Sequence, residues 1–302
     1  SGSAGKLDWR GGIVGQEMMR NTHYLFDTSP YYYGNTTAVL NTADVAGFAE
    51  LGWRFAPAWR LAPSVRIEHN QWSMSHWSSV QAASVPYAYS LTQTLPKQST
   101  SHTAPLPGLR LEYHPQNQSG PLQFGWLSYT RTSMPPGFSP HSVMPETAQV
   151  PFAASYGNNL ELGYRLHSRT NMWSVEAIGY SHLISNLQVS ASNANGESVV
   201  ATAAKAHTLG MKLSGMVRPL PSLTLNGFVG LTYAAYDRFV FAGQDLSGKQ
   251  LNGTPKSSFG FGATWAPAHG WSVSFNVVRR GLTNPSPSGP LVNNPSVLVD
   301  AP

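Results

Sequence analysis

The sequence predicts an all-β protein, an antiparallel up-and-down sheet of the transmembrane β-barrel kind, and an incomplete one. Three observations lead there: apolar and polar residues alternate with period 2, connection lengths sort by parity, and aromatic residues recur at strand ends beside tight turns. Composition agrees. Only 11% of the 302 residues are charged, whereas aromatic residues make up another 11%. A globular domain normally carries about 25% charge. Zero Cys excludes a disulfide scaffold and thiolate metal sites. The formal charge of +5 is spread out without a Lys/Arg block, which argues against a nucleic-acid partner. No run approaches the roughly 18 apolar residues of a membrane helix. The first residues, Ser-Gly-Ser-Ala-Gly, lack an initiator Met and a signal peptide's apolar core, so a mature form or an internal piece is expected.

Read in order, the chain gives about eleven strands, near 7–20, 44–56, 59–70, 108–115, 121–132, 158–166, 171–188, 204–218, 222–236, 256–266 and 270–281. In the second, Val45, Leu51, Trp53 and Phe55 alternate with Glu50, Gly52 and Arg54; in the third, Trp59, Leu61, Val65 and Ile67 alternate with Arg60, Ser64, Arg66 and Glu68. Leu209, Met211, Leu213 and Val217 interleave with Thr208, Lys212, Ser214 and Arg218. The later strands continue the pattern, with Val229, Leu231 and Tyr233, then Phe259, Phe261 and Trp265, then Trp271, Val273, Phe275 and Val277 on one face. Each run has one apolar and one polar face, as a half-wetted antiparallel sheet requires.

The connections decide between a soluble sheet and a membrane barrel. Tight ones fall at 56–58, 115–120, 167–170, 219–221 and 267–270, and long ones at 21–43, 71–107, 133–157, 189–203 and 237–255. They alternate without exception. In a meander every second connection lies at the same rim, so one rim has short turns and the other long loops, as in outer-membrane barrels. Trp53, Trp59, Trp265 and Trp271 beside the tight turns would form the aromatic girdle. Arg54, Arg66, Arg110, Glu112, Glu161, Arg165, Glu176 and Lys212 fall mainly opposite the apolar face, as a wet lumen demands. Bacterial single-chain barrels use even strand numbers, so an odd count, with 282–302 read as a loop, marks the sheet as incomplete.

Several segments then resemble the TonB-dependent outer-membrane receptors. Tyr129-Thr130-Arg131-Thr132-Ser133-Met134-Pro135-Pro136-Gly137-Phe138 resembles that family's strand-to-loop signature, and Asn159-Leu160-Glu161-Leu162-Gly163-Tyr164-Arg165 its following Glu-Leu-Gly-Tyr strand. Ile184-Ser185-Asn186, Lys205–Met211 and Asn252-Gly253-Thr254-Pro255-Lys256 continue the likeness in order over roughly 121–281, with a fainter echo over 44–70. Ala154-Ser155 departs from the Pro-Glu often found before the second element. The resemblance implies the later part of a barrel of about 22 strands in the bacterial outer membrane. It also implies import of a scarce nutrient, most often a ferric siderophore. The whole of 1–302 reads as partial barrel, with the plug domain absent. A plug or a companion chain would complete it, TonB would act only through that plug, and lipid and a small-molecule ligand would be its partners. A passive porin-like or structural element, possibly one chain of a split barrel, is the alternative, and a soluble carbohydrate-binding module a more remote one.

No catalytic constellation, cofactor motif or metal spacing emerges; His69 and His76 flank Trp72 without ligand geometry. An enzyme is not expected. The candidate ligand-binding residues are the aromatics of the long connections, Tyr31, Tyr32, Tyr33, Trp72, His76 and Trp77, since flat rings stack on sugars or chelates at low entropic cost. Arg66 and Arg131 are candidates for holding an anionic chelate in the lumen. Loop-on-loop packing remains an open reading for the aromatics. So does salt bridging with Glu112, Glu161 or Glu176 for the two Arg.

Overall fold

A computed structural model describes residues 2–27, 33–83, 89–115, 119–138, 151–192, 198–241, 243–267, 270–283 and 297–300. The strands are β1 (Gly2–Ala4), β2 (Leu7–Asp27), β3 (Tyr33–Ala56), β4 (Trp59–Ala83), β5 (Tyr89–Thr94), β6 (Gln98–Tyr113), β7 (Leu122–Met134) and β8 (Ser155–His167). There follow β9 (Trp173–Ser192), β10 (Ser198–Leu220), β11 (Leu223–Arg238), the short β12 (Val240–Phe241) and β13 (Gln244–Asp245), β14 (Ser257–Trp265), β15 (Val273–Arg280) and β16 (Val297–Asp300). All but β12 and β13 form one antiparallel sheet in chain order, with β5 pairing only β4. The edge strands do not pair with each other, so the barrel is open among the described residues.

The meander puts the tight turns at one rim and the long excursions at the other, as the parity of the connections requires. The strands, however, are longer and more numerous than alternation alone indicates. A bilayer needs about 9–11 residues per tilted strand, yet β2, β3 and β4 run for 21, 24 and 25 residues. Most of what reads as loop in 21–43 and 71–107 is therefore tall hairpin. Asn21 pairs with Val39, and Thr42 with Trp72. The reason is chemical. On the outer face of β3 the exposed apolar residues Phe55, Trp53, Leu51 and Val45 give way to Asn41, Thr37 and Asn35. Their partners are polar too: His23 Nε2–H donates to Asn35 Oδ1 over 2.7 Å, and the Thr37 and Ser78 hydroxyls meet at 3.0 Å. The alternation of polarity stops at the lipid boundary, but the ladder does not. Near the C-terminus, Val297–Asp300 forms β16 against β15 within a stretch read from sequence as loop, in a register that pairs Val299 with Val277 and Leu298 with Val278.

On the apolar face Leu209, Met211, Leu213 and Val217 are 43–58% exposed, and no second layer among the described residues covers them. On the polar face, large aromatics lie flat across glycines. Trp126 sits opposite Gly163, where an added methyl would overlap its ring, and its Nε1–H reaches Glu161 Oε1 at 2.6 Å. Tyr180 crosses Gly210 in the same way to meet Thr232 Oγ1 at 2.9 Å, so one ring ties three strands. Phe228 covers Gly260. Gly163→Ala is expected to force the Trp126 ring off the wall at a cost of about 1–3 kcal/mol, typical of overpacking, and so to lower the temperature at which the folded barrel loses its compact gel mobility.

Candidate ligand-binding site

The polar face near the tight turns is organised by Arg60. Its guanidinium meets Asp8 at 2.5 and 3.1 Å, Glu50 at 3.2 Å and Glu112 at 3.2 Å, and so bridges β2, β3, β4 and β6. Arg10 joins Glu50 at 2.6 Å, and Arg110 joins Glu112 at 3.1 Å. Gly52 provides the space, since a Cβ there would overlap the Arg60 head. The concavity above this hub measures about 910 Å³. Its charges satisfy one another, which suits a wall better than a ligand site. Farther round the same face Arg165 pairs with Glu176.

A second cavity, about 500 Å³, lies farther from the tight turns where β6 and β7 part. Their ladder runs only from Gly108↔Thr130 to Tyr113↔Gly125, although β6 continues to Gln98 along β4 and β7 continues to Met134 along β8. Pro105 and Pro107 explain the break. Proline has no N–H to donate, so it is tolerated where a strand edge goes unpaired. Alternation alone predicts a strand only from 108; the structure carries it back through both prolines to Gln98, paired along β4.

Above the break the upper β7–β8 hairpin lies over the polar face of β4 and β6. Ala104 and Leu106 are buried there, while the intervening prolines are exposed. Ser133 donates to Glu68 Oε2 over 3.4 Å, and Tyr156 Oη and His102 Nε2 share a 3.0 Å hydrogen bond.

This cavity brings Arg66 and Arg131 together, with Arg10, Glu50, Glu68, Gly108 and Ser133 on its wall. Arg66 is held by Glu68, Nε to Oε1 at 2.5 Å. Arg131 makes no ion pair among the described residues. It lies 4.8 Å over the Tyr156 ring, and its buried Nε has no hydrogen-bond partner. Sequence reasoning missed Glu68, His102, Ser133 and Tyr156. The usable signal was the Pro-x-Pro at 105–107, a mark of an unpaired edge.

The aromatic candidates divide. Tyr31 and Tyr32 lie outside the described residues; Tyr33 opens β3, its backbone paired with Asp27 and Ala82. Trp77 is only 1% exposed and packs with Ala38, Leu40, Met74 and Phe138. A bulge aims it inward: β4 carries one residue more than β3 between Ser75 and Ser78, and His76 there takes a left-handed φ of 54° and stays exposed. Trp72 is half-buried on the same face. Gly137 approaches it so closely that an added Cβ would stand 3.2 Å from its ring. The two Nε2 amide hydrogens of Gln188 tie the covering segment down through the Pro135 and Ala153 carbonyls, both at 3.0 Å. These two indoles are thus packing residues in this structure, although both Nε1–H groups are buried without an acceptor among the described residues.

An antiparallel meander with a bare apolar face, a charged inner face and sorted connections defines the class: an outer-membrane β-barrel. The family is equally clear. A model described as TonB dependent receptor-like, beta-barrel matches residues 1–301, and the chain belongs to that family. Its members are transport proteins of the bacterial outer membrane, not enzymes; they bind small-molecule ligands and interact with TonB.

Among solved structures, the ferric yersiniabactin uptake receptor FyuA from Yersinia pestis matches with TM-score 0.71 at 16% identity, over 99% of this chain and 44% of its own. The ferric-catecholate import receptor Fiu from Escherichia coli K12, closed form, gives 0.62 at 14% over 98% and 48%. The siderophore receptor PiuA from Acinetobacter baumannii gives 0.61 at 10% over 98% and 51%. The chain spans about half the length of these receptors, and such identities speak to the fold alone. No curated protein matches in sequence.

Proposed function

We propose that this chain forms part of the wall of a receptor that imports a ferric siderophore, with Arg131 and Arg66 holding an anionic part of the chelate. A plug or companion chain would complete the barrel and carry the coupling to TonB. The observation that carries the ligand reading is Arg131, a guanidinium on the wall of a 500 Å³ polar cavity with no carboxylate partner among the described residues. Ligands named for the structural neighbours, ferric yersiniabactin and ferric catecholate among them, fit the same chemistry. Hydroxamate, catecholate and carboxylate oxygens all present the negative charge that a guanidinium fork binds well.

The test uses the full-length protein in iron-starved cells. The probe is the trianionic iron(III) complex of three catecholates, labelled with radioactive iron. A hydrogen bond to a charged group contributes about 1.5–3 kcal/mol, so Arg131→Ala should weaken chelate binding roughly ten- to a hundredfold at unchanged protein level. Undiminished binding in both Arg131→Ala and Arg66→Ala would remove the site. No iron-dependent uptake by the parent protein would remove the substrate class.

A further inference from the structure

The β6–β7 seam differs from the other junctions between long strands. β7 and β8 pair from Leu122↔His167 to Met134↔Ser155, and β9 and β10 from Trp173↔Val217 to Ser192↔Ser198. β6 and β7 share backbone bonds only over Gly108–Tyr113. Above that, among the described residues, the half of the sheet before Tyr113 and the half after Leu122 are joined by side chains alone: Ser133 to Glu68, Tyr156 to His102, and Phe138 packed with Met74 and Trp77. Pro105 and Pro107 prevent the ladder from zipping further, because each removes a donor.

The cavity occupies this fork, with Arg66 and Glu68 of one half on one side and Thr130–Ser133 of the other half opposite. Any change in the angle of the fork changes its width. Glu68 is already engaged by Arg66 and Ser133, which leaves the Arg131 Nε donor unmet. An oxyanion seated between Arg66 on β4 and Arg131 on β7 would be bound from both halves at once.

We propose that the seam is a compliant joint in the barrel wall and that an anionic group captured between Arg66 and Arg131 clamps it. The clamp rests on the ligand reading above; the joint does not. The groups that fit are carboxylate, catecholate or phosphate oxyanions small enough for the fork. Binding and a change in wall geometry would then be one event.

Hydrogen exchange on the full-length protein in nanodiscs tests both halves of the idea. Without ligand, amides of Ser99–Thr103 and Arg131–Ser133 should exchange at least tenfold faster than those of Thr42–Val45, which lie at the same level and are paired on both sides. The double variant Pro105→Thr/Pro107→Thr, which restores two donors, should slow seam exchange toward the Thr42–Val45 rate. Adding the iron(III) tris-catecholate probe should protect the seam in the parent but not in Arg131→Gln, each compared with its own ligand-free exchange. Slow seam exchange in the ligand-free parent would overturn the joint. A fast seam that bound probe leaves unprotected would overturn the clamp. A fast seam in a protein that never takes up the chelate would overturn the substrate reading and leave the joint standing.

Discussion

Leu213→Arg should abolish assembly of the barrel, while Ser214→Arg, one residue along, should leave it nearly intact. Leu213 is 44% exposed midway along the bare apolar face, between Ala177 and Val229 on the neighbouring strands. A guanidinium at the bilayer midplane of such a face costs about 2–4 kcal/mol, a large share of the 5–15 kcal/mol that stabilises a typical fold. Ser214 points the other way, opposite Glu176 and Phe228. An Arg there meets water and a carboxylate. Heat-modifiable gel mobility of outer-membrane fractions reads the difference, as a folded band lost for the first variant and kept for the second. Equal tolerance of the two would contradict the assignment of faces.

Removing Arg60 should have the largest effect on the polar face. Arg60→Met leaves Asp8, Glu50 and Glu112 converging without the cation that joins them. Breaking a buried pair costs about 3–5 kcal/mol. With the Arg60 side chain 16% exposed, a loss of about 2–3 kcal/mol is expected after allowance for solvent. Arg60→Lys, which keeps the charge but loses the fork that spans three carboxylates, should fall between. Urea midpoints for refolding from micelles measure this, and Gly52→Val, which fills the space under the guanidinium, should reproduce most of the Arg60→Met loss. A midpoint unchanged in Arg60→Met would mean that the network contributes nothing to joining β2, β3, β4 and β6.

The membrane-spanning part of the fold was legible because lipid on one side and water on the other impose a period of two. Val45–Phe55 and Leu209–Val217 carried that signal plainly. Above the lipid both faces are wet, so Asn35, Thr37 and Asn41 show no alternation, although the ladder through them continues. Hydrogen bonding along a backbone leaves no trace in side-chain polarity. The site was legible in part. Arg66 and Arg131 could be named from charge and position, but their meeting in one cavity depends on where the β6–β7 ladder stops, a long-range fact. The inward turn of Trp77 depends on a single-residue bulge at His76, which no local pattern announces.

The central claim is a wall with lipid on one face and its connections sorted between two rims, and surface labelling in intact cells addresses it most directly. The chain has no cysteine, so single substitutions report without background. Lys97→Cys, between β5 and β6, should react with a bulky impermeant maleimide in intact cells. Thr170→Cys, in the turn between β8 and β9, should react only after the outer membrane is breached. Labelling of both positions, or of neither, in intact cells would contradict the sorted rims and the transmembrane orientation with them.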